Sequence, residues 1–241
     1  MAGWRDALGK SRHHQRRCQF SKLVTVAPFD IEQAIPRLRK VVEPFPPAVM
    51  FQLAAEGFGS LYEQLVSCII SIRTDDEVSG PVSRRLFAQA RTPVPMVQLR
   101  VDEILDLIRD ATFPDTKAAQ IHALSPRLLS EFEGILPPAP QALKQFKGVG
   151  PKCAHLALGV ALGYPCISVD IHVHRVTNRW GYVTTKTPEK TMAALEQKLP
   201  KTYWVEINRL LVPFGQHICR GRSPRCQTCP LAYMCPQLGV A

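Results

Sequence analysis

Four cysteines near the C-terminus have the spacing of a metal site. Gaps of six, two and five residues separate Cys219, Cys226, Cys229 and Cys235. Four thiolates this close in sequence suit either zinc or an iron–sulfur cluster, but a zinc site of two knuckles usually offers two Cys-x2-Cys pairs, and only one is present. The spacing therefore favours a cluster. A disulfide framework fits poorly because the chain is not small and shows no secretory hydrophobic segment, so we expect a reducing compartment.

The same stretch is rich in arginine. Arg220, Arg222 and Arg225 lie between the first two cysteines, so a loop pinned by metal ligation would present three guanidiniums to phosphate groups. The whole chain carries a formal net charge of +10, a surplus that commonly serves a polyanionic partner. Nucleic acid is the leading expectation for that partner, and we expect no membrane insertion because no apolar run is long enough to span a bilayer.

A turn with two glycines joins two helical patterns in the segment Gly148-Val149-Gly150-Pro151-Lys152. Pro151 suits the first position of a helix, and the turn can aim backbone N–H groups at a phosphate oxygen. The pattern indicates either a helix-hairpin-helix, which binds the DNA backbone without reading bases, or an ordinary helix connection. Lys152 is either a solvent-facing residue or an amine nucleophile, whose pKa the helix dipole and burial would lower.

Asp170 is the candidate catalytic carboxylate. It comes directly before the amphipathic stretch that begins at Ile171, so it can be a helix N-cap. Its carboxylate can also stabilise cationic charge that develops on a sugar ring and help to activate an attacking amine. The two roles are compatible. We interpret His172 and His174 as structural or surface residues.

The elements that must position these residues are helices, because no window alternates like a strand, and the predicted fold class is all-α. Ser60 and Glu63 predict a capping box. Pro81 and Pro126 should kink or shorten the helices that contain them. The predicted helices span about 30–42, 61–73, 76–90, 101–109, 116–132, 140–146, 151–163, 171–180 and 188–199.

Taken in order, these motifs resemble the endonuclease III family. The resemblance rests on Gly-Val-Gly-Pro-Lys at 148–152, on Val-Asp-Ile-His-Val-His-Arg-Val at 169–176 and on the cysteine spacing. It implies a two-domain helical protein with DNA bound between the domains. The implied divisions are a basic N-terminal extension over 1–26, a six-helix barrel with the helix-hairpin-helix over 54–164, and an iron–sulfur cluster domain over 27–53 and 165–241.

The resemblance also implies a bifunctional DNA glycosylase and lyase of base excision repair. Lys152 would attack C1′ of an oxidised pyrimidine nucleotide and form a Schiff base, Asp170 would stabilise the sugar cation, and β-elimination would cut the strand. Gly148, Val149 and Gly150 would hold phosphate, and the four cysteines would ligate a 4Fe–4S cluster. The implied partner is duplex DNA with oxidised bases or abasic sites, bound by a monomer.

Three departures from the family pattern bear on specificity. Arg73 stands where relatives usually carry a glutamine that inserts into the base stack, and Thr112 stands where a loop usually has glycine. Pro151 and Lys147 replace a basic residue and a proline around the nucleophile. We therefore expect an altered wedge between the bases, while the lesion spectrum and opposite-base preference stay open.

Two alternatives stay open: a lyase for abasic sites with little base excision, and a non-enzymatic, cluster-containing DNA-binding or redox module. An adenine-mismatch glycosylase fits less well because that branch lacks lysine at the position of Lys152. Residues 1–22, with six Lys or Arg, suit a solvated tail, a DNA-contacting arm or a transit peptide. We expect a cytoplasmic, nucleoid-associated protein in a bacterium, or a nuclear or mitochondrial one in a eukaryote.

Overall fold

The structure is a computed structural model that describes residues 28–240. The predicted basic extension over 1–26 lies outside the described residues. Within them the regular elements are helical, which confirms the all-α prediction. Twelve α-helices follow in chain order: α1 (Ile31–Val42), α2 (Val49–Ala55), α3 (Leu61–Ser71), α4 (Asp76–Phe87), α5 (Pro93–Met96), α6 (Val101–Ile108), α7 (Pro114–Phe132), α8 (Pro140–Leu143), α9 (Pro151–Leu162), α10 (Ile171–Arg179), α11 (Pro188–Lys198) and α12 (Glu206–His217).

Local sequence explains where several helices begin. The predicted capping box at the start of α3 is confirmed: the Glu63 N–H donates to Ser60 Oγ at 3.2 Å, and the Ser60 N–H donates to Glu63 Oε2 at 3.0 Å. Asp30 caps α1 by accepting from the Gln33 N–H at 3.1 Å. These side chains satisfy N–H groups that the first helical turn leaves without partners. The start of α3 is thereby fixed before the helix enters the core.

Three helices were not predicted, namely α2, α5 and α12, and neither Pro81 nor Pro126 breaks its helix. Helix α2 follows a proline-rich stretch that suggested a connector, and α12 contains Pro213. The chain runs on in helical form through Pro81 in α4 and Pro126 in α7. Proline removes one intrahelical hydrogen bond, and tertiary packing here outweighs that loss. The predicted ends of α3 and α4 were two to three residues too late, since α3 ends at Ser71 and α4 at Phe87.

Two hydrophobic cores organise the described chain. The first core, built from α2 to α9, contains fully buried residues such as Leu65 and Ala157 where α3 packs against α9. The second core joins α1 to α10, α11 and α12, and Trp180 stacks on Phe29 in it with ring centroids 4.4 Å apart. The chain passes from one core to the other between Cys166 and Ile167. No helix in 28–240 is long and apolar enough to cross a membrane.

Candidate active site

Lys152 lies where the two cores meet. It is the second residue of α9, and its partly buried side chain lines two clefts. One cleft has a volume of about 40 Å³, and the other has a volume of about 210 Å³. The polar side chains that line the smaller cleft with Lys152 come from α3, α4, the start of α10 and α12: Ser71, Asp76, Asp170 and Asn208. The structure therefore brings the predicted lysine and aspartate to one cleft.

Asp170 is the N-cap residue of α10. Its Oδ1 accepts from the His172 N–H at 2.9 Å and from the Val173 N–H at 2.8 Å. None of the ion pairs among the described residues includes Lys152, so the two side chains share the cleft without forming an ion pair. The carboxylate still favours the charged amine electrostatically. Asp170 thus has a structural role and remains available to act on charge in the cleft.

The predicted lowering of the Lys152 pKa was wrong. Burial is the largest influence and lowers this pKa, but nearby acidic groups, Cys68 first and then Asp170, raise it above the ordinary value. The sequence showed the start of α9, but it did not show which anionic groups would surround the amine. The amine therefore rests protonated and must lose a proton before it can attack a carbon atom.

A pair of buried thiols lies beneath Lys152. Cys153 of α9 donates to the sulfur of Cys68 in α3, with the two Sγ atoms 2.7 Å apart. This hydrogen bond and the nearby Lys152 hold the pKa of Cys68 below its ordinary value despite burial, while the same hydrogen bond and burial raise the pKa of Cys153. The contact ties the first turn of α9, which carries Lys152, to α3.

Asp76 is a second carboxylate in the cleft that sequence reasoning did not single out. It lies in the first turn of α4, and its Oδ2 accepts from the Val49 N–H at 3.3 Å. Burial raises the pKa of Asp76, and Lys152 acts in the opposite direction. An acidic residue in the first helical turn is already explained by the helix dipole, so its position in the sequence does not mark it as a site residue.

The turn before α9 has the backbone shape of the predicted hairpin. Gly148 adopts a φ of 87°, and a Cβ there would lie 2.4 Å from Gln120 Oε1. The buried Val149 donates its own N–H to the Phe146 carbonyl at 3.1 Å. No side chain caps α9 at Gly150, so N–H groups of its first turn are left open at the surface. An anion can bind there, at the positive end of the helix dipole.

Two arginines of α10 hold the loop that begins at Cys219. Arg175 donates to the Cys219 carbonyl at 3.2 Å and to the Gly215 carbonyl at 2.9 Å. Arg179 donates to the Gly221 carbonyl at 2.9 Å, and one of its nitrogens lies 3.5 Å from Cys219 Sγ. Helix α10 therefore positions both Asp170 and the start of the cysteine loop. The three arginines that follow in this loop are all exposed: Arg220, Arg222 and Arg225.

The four predicted metal ligands line one cavity: Cys219, Cys226, Cys229 and Cys235. Its wall is otherwise largely apolar and includes Trp180, Phe214 and Ile218. Within 28–240, no three His, Cys, Asp or Glu side chains converge as they would on a single metal ion. In a polynuclear cluster the thiolates bind different metal atoms, so they need not converge on one point. Four thiols around an apolar cavity therefore fit a cluster better than a single ion.

Arg73 projects from the turn that links α3 to α4. It is exposed and has a φ of 55°, which is unusual for a residue with a side chain. Its guanidinium lies over the Phe113 ring, 5.8 Å from the centroid. Phe113, which also has a φ of 55°, is 56% exposed. The two residues form one projection beside the cleft, whose lining residues Ser71 and Asp76 flank the turn.

Lys117 is a buried lysine that sequence reasoning missed. It lies in the first turn of α7 with 3% of its surface exposed. Its Nζ donates to the Ile70 and Ile72 carbonyls at 2.6 and 2.7 Å and to Thr74 Oγ1 at 2.8 Å. Burial lowers the pKa of Lys117 to about 8. An amphipathic helix usually exposes its lysines, so only the tertiary structure identifies this one.

Comparison with known proteins places the sequence of this chain in a family. Residues 66–201 match the model of the HhH-GPD superfamily base excision DNA repair protein. Endonuclease III of Thermotoga maritima is 37% identical over 174 residues, which cover 72% of this chain and 82% of that protein. The chain belongs to the endonuclease III family. Mouse Endonuclease III-like protein 1 is 41% identical over 178 residues, which cover 73% of this chain and 59% of that protein.

Solved structures of endonuclease III share the fold. A non-covalent Endonuclease III-DNA complex matches with a TM-score of 0.75 and 26% identity over 86% of this chain and 94% of that one. A trapped Endonuclease III-DNA covalent intermediate matches with a TM-score of 0.74 and the same identity and coverage. As an endonuclease III family member, the chain is a DNA glycosylase and lyase of base excision repair.

Proposed function

We propose that this endonuclease III homologue removes oxidised pyrimidines from duplex DNA and cuts the abasic strand through a Schiff base on Lys152. The observation that supports the proposal most strongly is the cleft at the junction of the two cores. Lys152 and Asp170 both line this cleft, and the Lys152 amine makes no ion pair among the described residues. An amine that forms no ion pair is free to react with a sugar that enters the cleft.

The proposed reaction begins when Lys152 loses a proton, which Asp76, whose pKa is raised by burial, can accept in the cleft. The amine attacks C1′, and the bond to the base breaks with its electron pair leaving on the base. Asp170 stabilises the positive charge on the sugar during this step. The ring opens to give an iminium on Lys152, loss of a proton from C2′ then expels the 3′ phosphate, and water releases the lysine.

In this proposal, the protein binds DNA mainly through contacts to the phosphate backbone. The open N–H groups around Gly148 and Gly150 suit one phosphate, with Val149 packing the turn from inside. Arg220, Arg222 and Arg225, all exposed, suit further phosphates of the duplex. Such contacts position the enzyme without specifying sequence, so lesion choice falls to the cleft and to the projection of Arg73 and Phe113. We propose that a monomer binds the DNA.

Cys219, Cys226, Cys229 and Cys235 would hold a 4Fe–4S cluster in this proposal. The support is the apolar cavity that the four thiols line together with Trp180 and Phe214. When bound, the cluster supplies covalent cross-links that give a fixed shape to the loop between the ligands. The chain's own part is to present three exposed arginines from that loop to DNA.

Borohydride trapping tests the proposal. We expect the wild type to form a covalent complex with a thymine-glycol duplex and with an abasic duplex, because borohydride reduces the iminium to a stable amine. Lys152→Gln should form none, whereas Lys40→Gln, which changes an exposed lysine of α1, should trap like the wild type. Trapping on abasic DNA alone would favour a lyase with little base excision. Duplex binding with no trapping by the wild type would overturn the proposal.

A further inference from the structure

A set of buried hydrogen bonds near the cleft involves groups that have no assigned part in the reaction. Lys117, Thr74 and the backbone of residue 112 join the turn that carries Arg73 to the segment that carries Phe113. The Thr112 N–H donates to Thr74 Oγ1 at 3.1 Å, and Lys117 Nζ donates to the same oxygen at 2.8 Å. One hydroxyl oxygen of the Arg73 turn therefore accepts from two groups on the Phe113 side.

Lys117 also closes the end of α3. The Ile70 carbonyl belongs to the last turn of α3 and the Ile72 carbonyl follows it, and both accept from Nζ. The last turn of a helix leaves carbonyls without intrahelical partners, and its dipole favours a cation there. Because Lys117 is itself in the first turn of α7, one ammonium connects the end of α3 to the start of α7.

The backbone on both sides of this connection is strained. Arg73 and Phe113 each have a φ of 55°, a conformation that costs a residue with a side chain about 1–2 kcal/mol. Such strain persists only where surrounding contacts determine the conformation. Lys117 and Thr74 supply contacts of this kind between the two residues, and both are buried while the residues they flank are exposed.

We propose that Lys117 is a positioning residue that couples the Arg73 turn to the Phe113 segment, so that the two exposed side chains enter the DNA duplex as one unit when a nucleotide is extruded. This inference rests on the proposed function. Lys117 itself touches no substrate. These contacts hold the Arg73 guanidinium over the Phe113 ring before DNA binds. Binding therefore loses no free energy to ordering these two side chains. Without the ammonium, the two segments would move independently.

Fluorescence of 2-aminopurine tests this coupling without requiring catalysis. The base is placed opposite a tetrahydrofuran abasic analogue in a duplex, and its emission rises when a protein side chain unstacks it. We expect the wild type to raise the emission and Lys117→Met to lose most of that rise. The same variant should cleave abasic duplex about tenfold more slowly, because small displacements of positioning groups are costly. Binding by anisotropy, which phosphate contacts dominate, should change much less.

Lys40→Met is the matched control, because it removes the same charge from an exposed position of α1, and it should behave like the wild type. If thermal unfolding shows that Lys117→Met does not fold, Thr74→Val decides instead, since it removes only the shared hydroxyl. An unchanged rise in whichever variant decides would overturn the inference. So would a wild type that traps with borohydride but gives no rise, although the proposed function would stand. A wild type that neither traps nor gives a rise would overturn the proposed function.

Discussion

The helix that carries Lys152 and the cysteine loop are stabilised in different ways. Lys152 lies near the start of a helix whose buried face packs against α3 in the first core, with Cys153, Ala154 and Ala157 almost wholly enclosed. By contrast, the segment that follows Ile218 has Leu231 as its one buried residue between 219 and 240. Apolar burial stabilises the helix, whereas the loop depends on hydrogen bonds from Arg175 and Arg179 and, in the proposed function, on the cluster.

This difference separates the residue proposed to react from the residues proposed to bind DNA. Lys152, the proposed nucleophile, lies on a scaffold that packing holds in place, so the position of its amine should not depend on a bound cluster. The exposed arginines lie on a loop with little core of its own, so in the proposed function their positions depend on the cluster. The account therefore predicts that the reaction step and DNA affinity respond to different perturbations.

The largest expected effect is on the reaction step. Asp170→Asn keeps a side-chain oxygen that can accept from the His172 and Val173 N–H groups, so the cap and the stability should be preserved. It removes the carboxylate charge, and single-turnover cleavage of abasic duplex should slow by about 10²–10⁴-fold. Quench-flow or gel kinetics measure the rate, and thermal unfolding verifies the cap. A rate close to that of the wild type would mean that Asp170 is only a cap.

Removal of the metal should mainly affect DNA affinity. Stripping it by mild oxidation and chelation should release the loop that carries Arg220, Arg222 and Arg225. The slope of log affinity against log salt should then decrease by roughly 3, since each lost phosphate contact contributes about 0.9. Far-ultraviolet circular dichroism should keep most of its helical signal, because the first core contains no ligand. The metal-loaded triple variant with glutamine at these positions should show the same slope. Global unfolding on stripping would contradict the comparison.

The smallest expected effect concerns the stability of the hairpin. Gly148→Ala should lower the free energy of unfolding by about 1–2 kcal/mol, because alanine is strained at a positive φ. Gly150→Ala is the matched control two residues later, where φ is negative and a Cβ would meet nothing within 4 Å, so its effect should stay within about 0.5 kcal/mol. Urea unfolding measures both. Equal effects would mean that the turn does not require its left-handed glycine.

Short-range patterns predicted most of the helices but few of the site's surroundings. The capping box at Ser60 and the proline at the start of α9 act within one helical turn, so the sequence shows them directly. The positions of Asp76 and Lys117 depend on how α4 and α7 meet the end of α3, which no local pattern encodes. The pKa of Lys152 was predicted in the wrong direction for the same reason, because the acidic groups around it, Cys68, Asp76 and Asp170, come from three other elements.

Lys117 also sharpens the question of which amine reacts. The pKa of Lys117 is lowered to about 8, and that of Lys152 is raised, so acidity alone would favour Lys117 as the nucleophile at neutral pH. Geometry favours Lys152. All three donors of Lys117 are engaged in buried hydrogen bonds, whereas Lys152 lines both clefts.

Peptide mapping of the borohydride-trapped complex tests the central claim most directly. After nuclease and protease digestion, mass spectrometry locates the residual sugar on one lysine. The account predicts that the sugar is attached to Lys152 and that trypsin no longer cleaves after this residue. A sugar attached to Lys117, or to any amine outside the cleft, would contradict it.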